Sequence, residues 1–200
     1  DRNWFERGAV TLQPCLVDTP YLYMLRNEIP AALRSFWNTY ALSIYPDVHC
    51  FAEWAKTIGR GAGPVYKTSD ESRFIMWLRQ FLVCEVGDKL WLGRAIPRAW
   101  LEQGKTVRIT DARTFFGPVS LTIESLADHG RIRAEVTLPT RNPPAEIWLR
   151  LRHPAGHMPV RVWVNDKPLP VDRIRGEDIR LVPGDADTTV PLYVTAQYPT

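Results

Sequence analysis

Long hydrophobic runs are missing from this chain: no stretch of about 18 apolar residues occurs in its 200, so no membrane-spanning helix is expected. Nor does it open on the charged, then apolar, then small-residue order of a signal peptide. Cysteine is scarce. Cys15, Cys50 and Cys84 are odd in number, far apart and in no C-x-x-C spacing, which excludes a disulfide framework and a cysteine zinc cluster. Charge of one sign is also lacking, since 25 Lys and Arg face 22 Asp and Glu for a net charge of +3. Without a basic arm or stripe, nucleic acid is not expected as a partner. The glycines of residues 61 to 68 do not form a phosphate loop, because Tyr66 stands where a glycine must precede Lys67 and no strand leads in. His153 and His157 have a ligand-like interval, yet Pro154 and Gly156 deny it a helix and no third ligand is evident. There is no G-x-S-x-G elbow. No metal and no cofactor are expected, and compartment stays open between cytoplasmic and exported.

What remains is a globular composition, 45% hydrophobic and 24% charged, with a change of pattern midway. Residues 1 to 18 form an extended or irregular lead-in. Thr19-Pro20 opens a helix, and Asn27-Glu28-Ile29-Pro30 is a second start or a kink. Ile29, Leu33, Phe36, Trp37, Tyr40, Ala41 and Ile44 recur at three and four, predicting a helix to about Ser43. Residues 45 to 68, with Gly59, Gly61, Gly63 and Pro64, read as a long loop of the kind that often carries function. Thr68 to Glu71 offers a capping box, with Asp70 and Glu71 as helix-start charges, and Phe74, Trp77, Leu78, Phe81 and Leu82 line a helix closing near Gly87. Trp37 and Trp77 are expected in its core.

From Trp91 to Lys105 the chain reads as a joint. Pro97 opens a short helical turn, Trp100 and Leu101 form its apolar underside, and Gly104 ends it. Beyond it apolar residues alternate: Val107 and Ile109; Val119, Leu121 and Ile123; Ile132, Ala134 and Val136; Ile147, Leu149 and Leu151; Val160, Val162 and Val164; then 179 to 182 and 190 to 196. Asn165-Asp166 marks a hairpin tip. The expected fold class is α+β: a helical hairpin portion over residues 1–89, a connector over 90–104 and an antiparallel β-sandwich over 105–200. Of the strand tryptophans, an exposed Trp148 or Trp163 would make a binding platform.

Two helices this rich in Trp, Phe and Tyr cannot bury such broad stripes against each other alone. The expected partner is therefore a self-associating copy or the remainder of a larger polypeptide. The run Leu90-Trp91-Leu92, Ala95-Ile96-Pro97-Arg98-Ala99-Trp100-Leu101 and Ala112-Arg113-Thr114-Phe115-Phe116-Gly117-Pro118-Val119-Ser120-Leu121 resembles the end of six-hairpin glycosidases, the group that includes α-L-rhamnosidase-like enzymes. Phe51-Ala52-Glu53-Trp54, after an aromatic-rich helix, is similar to that group's Trp-Glu segment. The resemblance implies an (α/α)6 toroid followed by a β-sandwich, carbohydrate as the ligand, and the glutamate as a catalytic carboxylate, usually the general base of inverting members. A toroid needs many more helices than this chain supplies. The resemblance therefore implies a C-terminal portion, incomplete by itself as an enzyme, with the general acid upstream of Asp1.

Glycoside hydrolysis uses two carboxyl groups across the scissile bond. Glu53 is the candidate for the base side, and Glu6 is a secondary one. Trp54, Gln13, Asp18, His49 and Tyr45 are candidates for sugar contact. By the residues alone, each reads first as a structural or surface residue. The alternative to a hydrolase is a non-catalytic carbohydrate-binding or assembly module.

Overall fold

The computed structural model describes residues 5–7, 10–12, 18–57, 60–63, 68–139, 141–182 and 191–199, with only the backbone of 5–7, 10–12, 55–57 and 60–62. The fold is α+β, and the chain divides into compact units over 1–80 and 81–200.

In the first unit α1 (Thr19–Leu25) opens on a proline in its first turn, and Asp18, not Thr19, holds the cap position. Asn27, at φ 62°, turns the chain, so that Ile29-Pro30 is a true second start for α2 (Ile29–Ser43). The buried stripe of α2 is Ile29, Ala32, Ser35, Phe36, Thr39, Leu42 and Ser43. That is a face of mostly small side chains, offset from the aromatic stripe expected from periodicity. Trp37 consequently lies 42% exposed, whereas Trp77 of α3 (Thr68–Leu82) is fully buried. Phe36 stacks on Phe74 at 4.3 Å between ring centroids. Leu22, Ile75 and Met76 also remain exposed on these helices.

The expected loop after α2 contains strands. β3 (Ile44–Tyr45) pairs with β4 (Cys50–Phe51), and β5 (Trp54–Thr57) and β6 (Arg60–Ala62) join β1 (Phe5–Arg7) and β2 (Val10–Leu12) in a sheet of order β1-β2-β5-β6. Helix α3 ends at Leu82, short of Gly87; that glycine instead turns the hairpin β7 (Val83–Val86) and β8 (Lys89–Leu92).

That hairpin belongs to the second unit, where two sheets share one core. β9 (Thr106–Thr114), β10 (Gly117–Leu126), β11 (Arg131–Thr137), β13 (Arg161–Val164), β14 (Lys167–Pro168) and β17 (Leu192–Gln197) make an antiparallel sheet of order β14-β13-β17-β11-β10-β9. β12 (Glu146–Arg150), β15 (Ile174–Arg175) and β16 (Asp178–Leu181) extend β7 and β8 in the order β15-β16-β12-β8-β7. Here β8 and β12 run parallel, so this layer is mixed rather than antiparallel. Leu90, Leu92, Leu149 and Ile179 of one sheet and Leu121, Ile132, Val136 and Val194 of the other fall in the same buried cluster. Strand β11 alternates buried and exposed residues without a break, as a strand with one face on a core does. Asn165 and Asp166, at φ 49° and 62°, turn the β13–β14 hairpin with the two left-handed residues that a type I′ tip requires.

The joint is fixed to β12 by arginines. Gly93 and Ala95 donate to Leu82 and Phe81 carbonyls, and a Cβ on Gly93 would lie 2.8 Å from the Arg150 carbonyl oxygen, so only glycine allows this approach. Arg150 donates to the Arg94 carbonyl and Arg152 to that of Ile96. Arg150 also holds Asp178 through Nε and Nη2, at 2.5 and 2.7 Å, while Arg98 pairs with Glu177 at 2.6 Å. Pro97 precedes a single 3-10 turn, Arg98–Leu101, and Leu101 is fully buried. Trp148 is buried rather than exposed as a platform: it stacks on Trp91 at 5.5 Å, its indole N–H donating to Glu146.

Beyond β12, the His153 ring stacks on His157 at 4.7 Å and lies 4.8 Å from Tyr198. Burial first, and the charge of His157 second, hold the His153 imidazole below its ordinary pKa of 6.5. The unfolded chain therefore takes up this proton before the folded one, so its contribution to stability is present above pH 6.5 and is lost as pH falls below it. We expect melting temperature to fall between about pH 7.5 and pH 5.5, with a shallower slope for His153→Phe. An unchanged slope in that variant would remove His153 as the cause.

Candidate functional site

Glu53 owes its position to the residues just before it. As α2 ends, Ile44 pairs with Phe51 and Tyr45 with Cys50, and Ala52 donates its N–H to the Ser43 carbonyl at 2.8 Å. Phe51 donates to Glu71 Oε1 at 3.0 Å, and its ring lies 4.8 Å from Phe74. Phe51 and Ala52 are thereby buried, at 4% and 0% exposure. Glu53 is half-buried, and Trp54, at 42%, is open to solvent. Two buried, hydrogen-bonded residues thus present a carboxylate and an indole at the rim of the unit.

Gly63 shapes the other side of the carboxylate. At φ 86°, a Cβ there would meet both Cβ and Oε2 of Glu53 at 3.2 Å. A side chain at this position would require Glu53 to give way by a few tenths of an ångström, on a backbone whose positive φ itself favours glycine.

Glu71 is the residue that sequence reading assigned only to helix capping. It stands in the first turn of α3, with one oxygen accepting from Phe51 and the other buried without a hydrogen-bond partner among the described residues. Its bond reaches twenty residues back along the chain, and no local spacing signals it.

The remaining candidates are placed apart or held differently. His49 lies in the turn of the β3–β4 hairpin at φ 55°, exposed, with its N–H on the Tyr45 carbonyl; Tyr45 is half-buried two residues after the end of α2. This hairpin leads directly into Glu53. Asp18 accepts from the Trp77 indole at 3.0 Å and from Arg73 at 3.2 Å, a tie between the start of α1 and α3. In the four-stranded sheet Glu6 shares a register row with Thr11 and Ala55, while Trp54 shares the neighbouring row with Leu12 and Ala62. Gln13 lies outside the described residues. Among the described residues, no group of three His, Cys, Asp or Glu is placed to hold a metal ion.

Chemically, a half-buried carboxylate can accept a proton from water or attack an electrophilic carbon, and the solvent-open indole of the next residue offers a flat apolar face.

No family model and no curated protein matches the chain. Solved structures similar to it include a β-L-arabinofuranosidase from Geobacillus stearothermophilus, at 15% identity and a TM-score of 0.43, with 93% of this chain and 30% of that one covered. Another, described as a glycoside hydrolase, has 10% identity and a TM-score of 0.40, with 90% and 29% covered. The chain thus spans about 30% of the length of these structures.

Proposed function

We propose that the chain is the C-terminal portion of a six-hairpin glycoside hydrolase of the α-L-rhamnosidase-like kind, with Glu53 as its base-side carboxylate. The observation that carries this reading is the presentation of Glu53: half-buried, anchored through Phe51 and Ala52, pressed by Gly63 and followed by an open indole. The resemblance of the Trp91–Leu101 and Phe115–Leu121 phrases supports it. In this reading Trp54 carries the sugar ring, and Tyr45 and His49 lie on the approach to the cleft. The general acid comes from outside these 200 residues. The exposed Leu22, Trp37, Ile75 and Met76 support further helices packing on this unit.

The test is turnover of aryl glycosides, α-L-rhamnosides and L-arabinofuranosides among them, by the full-length product of the reading frame and by its Glu53→Gln variant. Hydrolysis lost in the variant is expected, and hydrolysis retained would refute the assignment. The 200 residues alone should turn over none of these substrates. Gly63→Ala should lower kcat about 10-fold, since its Cβ would push the carboxylate off position. It should also cost about 1–3 kcal/mol in unfolding free energy, because alanine resists a positive φ. Wild-type kcat in this variant would show that the close approach does not position the carboxylate.

A further inference from the structure

The outward face of the six-stranded sheet, in the second unit, holds a further feature. Register places Glu124, Arg133, Thr195 and Trp163 in one row across β10, β11, β17 and β13, with Arg108, Thr122, Glu135 and Tyr193 in the next. Over these rows opens a groove of about 220 Å³, lined by Thr122, Glu124, Arg133, Glu135, Tyr193 and Thr195. Tyr193 is 53% exposed, and Trp163, half-buried, stands between Thr195 and Pro168 in its row. The backbone of Tyr193 is pinned on both sides by the hairpin tip: its N–H donates to Asn165 Oδ1 at 2.9 Å, and its carbonyl accepts from the Asn165 N–H at 2.8 Å.

We propose that this groove binds one neutral sugar unit of a glycan, its ring laid on Tyr193 and its hydroxyls bonded by Glu124, Glu135 and Arg133. Charge selects among occupants. Glu124 and Glu135 are matched by Arg133 and by exposed Arg108, paired with Thr122 on β9, so the face carries no net charge here and favours a neutral occupant over phosphate, nucleic acid, an acidic peptide or a cation. The polar lining offers little to a lipid or an apolar helix. Paired acceptors, a planar donor and an exposed aromatic face match the vicinal hydroxyls and C–H face of a pyranose. The volume lies below the roughly 300 Å³ at which drug-sized sites begin, which fits a single ring.

The experiment is isothermal titration of the full chain with methyl glycosides of L-rhamnose, L-arabinose, D-galactose, D-xylose and D-glucose. At least one should bind with a Kd on the order of 1 mM. Tyr193→Ala should weaken it about 10-fold or more, a loss on the scale of one aromatic contact. Glu135→Gln should weaken it several-fold. Both positions are exposed strand residues, so both variants should melt like the parent. Glu53→Gln should leave the affinity unchanged, which separates this site from the hydrolase reading. Binding of none of the five glycosides, or binding unaffected by both sheet substitutions, would overturn the proposal.

Discussion

Asp178→Ala is expected to destabilise the β unit by about 3–5 kcal/mol, because it strands a guanidinium in the interior. The Arg150 side chain is 6% exposed and that of Asp178 16%, and two parallel hydrogen bonds join them. Removing the carboxylate leaves the remaining Arg150 bond, to the Arg94 carbonyl at 3.3 Å, to satisfy a buried charge. The surface pair Lys105–Glu102 is the control, with side chains 50% and 56% exposed. Its loss should cost under about 1 kcal/mol. Thermal melts of the two variants should therefore separate by on the order of 10 °C. Equal melting temperatures would mean that Arg150 does not hold the joint as described.

The second large effect is on chemistry. Glu53→Gln keeps the shape of the side chain and removes its basicity, and general base catalysis is typically worth about 10²–10⁴-fold. On the role proposed for Glu53, kcat of the full-length protein should fall by that factor with KM changed little, since the amide still fills the space beside Gly63 and leaves Trp54 in place. A rise in KM at constant kcat would make Glu53 a binding residue instead.

These two effects rest on features of unequal legibility. The alternation Ile132, Ala134, Val136 was readable because a strand with one buried face repeats at two, and Asn165-Asp166 because few residue pairs tolerate two positive φ angles. The bounds of α2 were readable from Ile29-Pro30 and from the end of its periodicity near Ser43. Its buried face was not, since Ala32, Ser35, Thr39 and Ser43 leave no hydrophobic signal, while Trp37 does and stands exposed. The strands of 44–62 were hidden in glycines and in two-residue pairings held by distant partners, such as Phe51 with Glu71. Val83-Cys84 follows Phe81-Leu82 as one apolar run, so periodicity carried the helix on to Gly87. The parallel partner of β8 lies beyond the whole of the next hairpin. For the site, the loop carboxylate and its tryptophan were legible as residue types. The contact of Gly63 and the anchor from Glu71 depend on the folded chain and were not.

The most direct measurement of the central claim is azide rescue of the full-length Glu53→Ala enzyme on an aryl glycoside, whose phenolate departs without much help from an acid. If Glu53 prepares water, or itself attacks the anomeric carbon, azide can take the vacated space and form the bond to that carbon as the phenolate leaves. The account predicts slow turnover without azide, restored turnover with it, and a glycosyl azide as product. Wild-type turnover in the absence of azide, or no glycosyl azide at any concentration, would contradict it.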